Sequence, residues 1–124
     1  MNIDIRDGLP FIAVTLTHRG QSLTLQRVLL DTGSAGSLFA TEDLLNINVR
    51  LEPHDALRRI CGVGGSEFVF VKTLDGLAAG SLQVAHFAVE VGALDYGFDL
   101  QGILGMDFLL QAKATINLDQ FTLT

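Results

Sequence analysis

The chain has 124 residues, of which 48% are hydrophobic and 18% charged. This is enough for one compact domain and excludes a large multidomain enzyme. Its formal charge of -6 opposes nonspecific binding to a nucleic-acid backbone, so we expect no nucleic-acid partner. No run approaches the ~20 apolar residues of a membrane span, and Asp4 and Asp7 lie where a signal peptide has basic and apolar residues. We therefore expect a soluble, unsecreted, cytoplasmic protein with no membrane partner.

The cysteine and histidine content argues against disulfide and metal chemistry. Cys61 is the single cysteine, so no intrachain disulfide forms, which suits a reducing compartment. His18, His54 and His86 lack the short spacing of a zinc site. We expect no metal and no cofactor, and we assign no catalytic role to these histidines. Cys61 is best interpreted as a small apolar filler, with oxidation sensitivity beside a substrate groove as the alternative.

Thirteen glycines and two prolines predict short strands joined by tight turns. Apolar and polar residues alternate along much of the chain, as they do in strands with one buried face. The predicted strands are residues 11–17, 22–30, 57–61, 67–71, 74–79, 82–91, 102–105, 115–118 and 121–124.

Two short helices are predicted between these strands. Thr41 is expected to cap the first helix, which runs about two turns. The second covers residues 106–113, with apolar residues at helical spacing. The residues expected to pack inward are Leu44, Leu45, Ile47, Phe108, Leu109 and Ala112. The chain is therefore predicted to be an all-β domain with one or two short helices and no repeat or linker.

The segment that carries chemistry follows the strand ending at residue 30. It reads Asp31-Thr32-Gly33-Ser34, a carboxylate followed by a hydroxyl, a glycine and another hydroxyl. Here the chain resembles the retropepsin-like aspartic proteases, whose signature is a run of apolar residues followed by Asp-Thr-Gly-Ser or Asp-Thr-Gly-Ala. The family's later apolar-apolar-Gly segment is matched by Ile103-Leu104-Gly105, and its glycine-rich flap by residues 60–65. The three segments occur in the family's order and cover roughly residues 10 to 112.

The resemblance implies one domain over residues 1–124 with the retropepsin-like acid protease barrel, as one protomer of a symmetric dimer. It assigns catalysis to Asp31 and a hydrogen bond across the dimer to Thr32. It assigns close packing at the carboxylates to Gly33 and a supporting hydroxyl to Ser34.

The chemistry explains why a dimer is expected. Peptide hydrolysis without a metal or a covalent intermediate needs one carboxylate to take a proton from water and one carboxylic acid to protonate the carbonyl oxygen. Aspartic proteases are the standard example of such a pair, in which two carboxyls about 3 Å apart share one proton. The chain has one Asp-Thr-Gly, since the segments at Asp95 and Asp107 lack the Thr-Gly. Two copies of Asp31 must therefore meet in a homodimer.

The flap is predicted as a hairpin over about residues 57–71. Glycines let its backbone approach an extended polypeptide substrate, which adds to the protein as a strand. The resemblance assigns substrate binding to Leu29, Gly62, Val63, Gly64, Gly65 and Ile103.

Two departures from the retroviral pattern place the chain closer to cellular or bacterial relatives. Met106-Asp107 replaces an Arg-Asn pair that supports the retroviral dimer, and residues 35–37 lack the aspartates that contact substrate backbone. Asp107 is interpreted as a structural residue that caps or orients the second helix.

Two functions of different classes remain open from the sequence. The first is an aspartic endopeptidase that activates water between two Asp31 carboxylates. The alternative is a non-catalytic peptide-binding or dimerisation module with the same fold, because a fold alone does not establish an activity.

Overall fold

The computed structural model describes residues 1–62, 65–94 and 99–124, and for residues 60–62 and 65–67 it describes the backbone. These residues form strands and two short helices. The elements are β1 (Asp4–Arg6), β2 (Leu9–His18), β3 (Gln21–Leu30), β4 (Leu38–Ala40), α1 (Thr41–Leu44) with a 3-10 turn (Leu45–Ile47), β5 (Leu57–Gly62), β6 (Gly65–Ala79), β7 (Leu82–Gly92), β8 (Gly102–Leu104), α2 (Met106–Gln111), β9 (Ile116–Asn117) and β10 (Thr122–Leu123).

Six strands close into a ring. Around it, β2 pairs with β3, β3 with β8, β8 with β4, β4 with β7, β7 with β6, and β6 again with β2. The β3–β8 and β4–β7 pairs are parallel and the others antiparallel. Closure leaves few free strand edges. The all-β barrel expected from the sequence is confirmed.

Two hairpin turns show why particular residues occur where the chain reverses. Arg19 and Gly20, between β2 and β3, have φ angles of 49° and 82°. Asp7 and Gly8, between β1 and β2, have φ angles of 51° and 78°. Two successive positive φ angles give a turn whose twist matches that of the flanking strands, and glycine adopts them without strain.

The core lies inside the barrel and beneath α2. Along β7, Phe87, Val89 and Val91 are buried, as their alternation predicted. Phe108 of α2 contacts Phe87 edge to face, with ring centroids 5.7 Å apart and an interplanar angle of 84°. This contact fixes α2 against the barrel wall.

Three sequence predictions are wrong in detail. Thr41 does not cap α1: it is the first helical residue, Ala40 is the N-cap, and no side chain makes a capping hydrogen bond there. Leu45 is 47% exposed, because the chain tightens from α1 into the 3-10 turn and rotates Leu45 away from the core. The strands predicted at residues 67–71 and 74–79 are one continuous strand, β6.

The two ends of the chain pair with each other. Met1 and Leu123 exchange hydrogen bonds of 2.9 Å between main-chain groups. The amide of Ile3 donates to the carbonyl oxygen of Phe121 at 2.7 Å. The predicted terminal hairpin is confirmed as β9 and β10, which form a separate small sheet beside the barrel. Among the described residues, no helix is long and apolar enough to cross a membrane.

A buried lysine organises a charged cluster on the barrel surface. Lys72 of β6 donates hydrogen bonds to Asp55 at 2.6 Å and Glu52 at 2.7 Å. These hydrogen bonds are the main reason that the pKa of each carboxyl lies below its ordinary value. Burial alone would lower the pKa of Lys72, but the two carboxylates outweigh it and raise that pKa. All three groups therefore stay ionised near neutral pH.

His18, at the end of β2, lies next to this cluster and is only 4% exposed. Both ring nitrogens are buried and have no hydrogen-bond partner among the described residues. Burial lowers the pKa of His18 below its ordinary 6.5, and the charges of Arg19 and Lys72 act in the same direction. Asp75 and Glu52 oppose the shift without reversing it. The folded state therefore favours the neutral imidazole.

We expect the protein to lose stability as the pH falls below 6.5. The unfolded chain then binds a proton at His18 that the folded chain resists, so unfolding becomes easier by up to about 1.4 kcal/mol per pH unit until the folded imidazole also titrates. Urea unfolding of wild type and His18→Leu at pH 7.5 and 5.5 measures this. His18→Leu is expected to flatten the decline, whereas His54→Gln, at an exposed histidine, retains it. An equal decline in His18→Leu would contradict the assignment.

Candidate active site

Asp31 directly follows β3 and is fixed by the strand beside it. β3 pairs in parallel with β8, with Leu30 opposite Leu104. The amide of Asp31 continues this ladder by donating to the carbonyl oxygen of Leu104 at 3.0 Å. Leu30 and Leu104 are both buried. The carboxylate is therefore attached to a backbone held by two core strands.

The carboxylate itself is oriented by the next residues of the loop. The amide of Gly33 donates to Asp31 Oδ1 at 2.9 Å. A Cβ at position 33 would lie 3.3 Å from the same oxygen, so any other residue would press against the carboxylate. The amide of Ser34 donates to the carbonyl oxygen of Asp31 at 3.2 Å, which tightens the turn. The expected close packing of Gly33 at the carboxylate is present within one chain.

Ser34 supports the loop through its neighbours. Its hydroxyl donates to the carbonyl oxygen of Gly36 at 2.7 Å. Its carbonyl oxygen accepts from the amide of Met106 at 2.8 Å, where α2 begins. A Cβ at Gly105 would lie 2.3 Å from the Gly36 oxygen, which shows how closely the loop packs on the segment before α2. Glycine is required there because of this backbone contact.

Ser37 and Asp107 form an anchor that the sequence analysis did not identify. Ser37 is 1% exposed, and its hydroxyl donates to Asp107 Oδ1 at 2.7 Å and accepts from the amide of Gly105 at 2.9 Å. The amide of Ser37 donates to Asp107 Oδ2 at 3.1 Å. Asp107 Oδ1 also accepts from the amide of Phe108 at 2.8 Å. Asp107 thus orients the first turn of α2, as its structural interpretation required, without being the N-cap.

The two apolar residues assigned to substrate binding lie side by side. Leu29 of β3 is directly opposite Ile103 of β8. They belong to a small apolar cluster with Phe11 and Leu100, separate from the main core. Leu29 is half-buried and Ile103 is 8% exposed. The structure therefore places an apolar surface one residue before Asp31.

The predicted flap corresponds to the β5–β6 hairpin. The two strands pair from Leu57 opposite Phe70 to Gly62 opposite Gly65. Val63 and Gly64, which the sequence assigned to the flap tip, lie outside the described residues, as does the side chain of Cys61.

Glu90 of β7 connects the base of this hairpin to the Asp31 loop. Its Oε1 is 3.6 Å from Arg58 Nη1 on β5. The same oxygen lies 2.9 Å from where a Cβ would be placed on Gly36. The amide of Glu90 donates to the carbonyl oxygen of Ser37 at 2.9 Å. Sequence reasoning missed this carboxylate because Glu90 occurs as an ordinary polar residue in an alternating strand.

Thr32 is exposed, and its position differs from that of its neighbours. It borders an apolar pocket on the side of α2 and β9, away from Gly33 and the carboxylate. Among the described residues, no group of three or more His, Cys, Asp or Glu side chains is arranged to hold a metal ion.

Comparison with known proteins gives one match. A family model described as Aspartyl protease matches residues 14–108, which include every element from β3 to β8 and the start of α2. No curated protein matches the chain.

We expect Ser37→Ala to destabilise the protein by about 1–3 kcal/mol, because it leaves the Asp107 carboxylate and the Gly105 amide without their buried partner. Urea unfolding measures the change. Ser22→Ala is the matched control, since the Ser22 hydroxyl contacts Thr17 at the surface, and its effect is expected within about 0.5 kcal/mol. Equal effects of the two substitutions would show that the anchor carries no special weight.

Proposed function

Because this chain belongs to the aspartyl protease family, we propose that it is an aspartic endopeptidase whose active site contains the Asp31 carboxyls of two copies. The observation that carries the proposal is the placement of Asp31. Its backbone is bonded to Leu104 and its carboxylate to the Gly33 amide, within the chain's single Asp-Thr-Gly-Ser. Preorganised carboxylates are what acid–base hydrolysis requires.

In the proposed reaction, the ionised Asp31 carboxylate of one copy accepts a proton from water as the water oxygen attacks the carbonyl carbon of the substrate. The protonated Asp31 of the second copy donates its proton to the carbonyl oxygen, which gives a tetrahedral diol. When the C–N bond breaks, a diol hydroxyl returns its proton to one carboxylate and the leaving nitrogen takes a proton from the other carboxyl. The pair then again holds one proton.

The neighbouring residues have separate proposed roles. Gly33 positions the carboxylate oxygen, and Ser34 stabilises the loop through Gly36 and Met106. Thr32, exposed on one copy, forms a hydrogen bond with the second copy beneath the carboxyl pair. Each role fits a contact or an exposed position in the single chain.

The proposed substrate is an extended polypeptide with apolar side chains at the cleavage point. Leu29 and Ile103 supply an apolar surface beside Asp31. The β5–β6 hairpin, with Gly62 and Gly65 opposite each other, covers the substrate, and its tip includes Val63 and Gly64. The proposed location is the cytoplasm, which suits a chain with a single cysteine.

We expect Asp31→Asn to abolish peptide cleavage, by a factor of at least about 10²–10⁴, because an amide neither accepts the water proton nor shares one with its partner. Cleavage of a mixed unstructured peptide library from pH 3 to 8, over a range of protein concentrations, measures this. Asp4→Asn is the control, since Asp4 is exposed and bonded to Arg6. It is expected to cleave like wild type.

Each outcome of this experiment has a definite meaning. Cleavage lost in Asp31→Asn, with a rate per chain that rises with concentration, supports a dimeric aspartic protease. Retained cleavage in Asp31→Asn refutes the role given to Asp31. Peptide binding by confirmed dimers without cleavage in wild type supports the non-catalytic module instead.

A further inference from the structure

An apolar pocket of about 340 Å³ opens beside the Asp31 loop. It is lined by Thr32, Met106, Leu109, Leu110, Ala114 and Ile116, which come from the loop, from α2 and the turn after it, and from β9. None of these six side chains carries a formal charge. An apolar concavity next to catalytic residues calls for an occupant.

Large apolar side chains surround this pocket on the protein surface. Leu110 of α2 is 68% exposed, and Leu118, two residues after Ile116, is 64% exposed. Among the leucines of the described residues, these two have the largest exposed fractions. Single exposed leucines are common, but two beside one apolar pocket form a patch that favours contact with a protein partner.

The strand at the rim of the pocket has a free edge. β9 pairs with β10 on one side, where Thr115 and Thr124 exchange hydrogen bonds. Because antiparallel strands alternate, the main-chain groups of Ile116 point to the other side of β9. Among the described residues, no strand pairs with that side. Unpaired strand edges readily add a further strand.

We propose that these residues, which we name the α2–β9 face, bind the same face of a second copy of this chain. The α2–β9 face consists of the pocket, Leu110, Leu118 and the free edge of β9. This inference rests on the proposed function, which brings two Asp31 carboxyls together at a twofold axis. Thr32 follows Asp31 and lines the pocket, so a surface continuous with Thr32 lies at that axis and meets its own copy.

Charge also favours a second copy as the occupant. Each chain carries a formal charge of -6, so two copies repel each other over most of their surfaces. The uncharged lining of the α2–β9 face lets two copies meet without placing like charges in contact. The partner buries the exposed leucines and completes a site that has one carboxyl per chain.

Sedimentation equilibrium of wild type and Leu110→Lys tests the face. We expect Leu110→Lys to raise the Kd of the dimer at least about tenfold, because each copy loses an apolar contact and gains a charge that must be desolvated. Leu51→Lys is the matched control, as it makes the same change at another exposed leucine and reduces the negative charge equally. Its Kd is expected to match or fall below that of wild type. Leu118→Lys is a second test of the same face, and circular dichroism checks that every variant is folded.

A mixing experiment separates this inference from the proposed function. Added Asp31→Asn is expected to inhibit wild-type cleavage by forming mixed dimers, whereas Asp31→Asn combined with Leu110→Lys does not inhibit. If Leu110→Lys and Leu118→Lys leave the Kd unchanged while wild type cleaves, the α2–β9 face is wrong and the protease proposal stands. If they raise the Kd but wild-type dimers do not cleave, the face is supported and the protease proposal fails. A wild-type chain that stays monomeric at all concentrations overturns the inference.

Discussion

A catalytic carboxylate keeps its position only if the backbone that carries it is immobile, and the parallel pairing of β3 with β8 provides this constraint. The hydrogen bond from the Asp31 amide to Leu104 extends that pairing to the first residue after β3. Leu30 and Leu104 are buried on the inner face of the same two strands, so moving Asp31 would disturb the core. Leu29 and Ile103 lie on the other face and form the apolar surface beside the carboxylate.

A second set of contacts ties the Asp31 loop to α2. The Gly36 carbonyl packs against Gly105, and Ser37 is bonded to Asp107 through both its amide and its hydroxyl. These contacts make the loop and the first turn of α2 one rigid unit. The α2–β9 face therefore shares its frame with the carboxylate. In the proposed dimer, the docking of one face on its copy sets the separation of the two Asp31 carboxyls.

Much of this arrangement follows from local sequence. The alternation along β7, the turn at Arg19-Gly20 and the apolar run before Asp31 each predict their own element, because the cause lies within a few residues. The anchor between Ser37 and Asp107 joins positions 70 residues apart and has no local pattern. The same holds for β4, a three-residue strand whose partners are β7 and β8. Thr41 failed as a predicted cap because α1 begins directly from β4 and leaves no residue between them.

The charge of the chain limits how the proposed dimer forms. Two copies, each with a formal charge of -6, repel over distances comparable with the Debye length, about 8 Å at physiological salt. Burial of apolar surface acts at contact and is not screened, so added salt weakens the repulsion while leaving the attraction of the α2–β9 face intact. Association through this face therefore strengthens as ionic strength rises. An interface held by ion pairs has the opposite dependence, so the sign of the salt effect reflects which kind of contact joins the two copies.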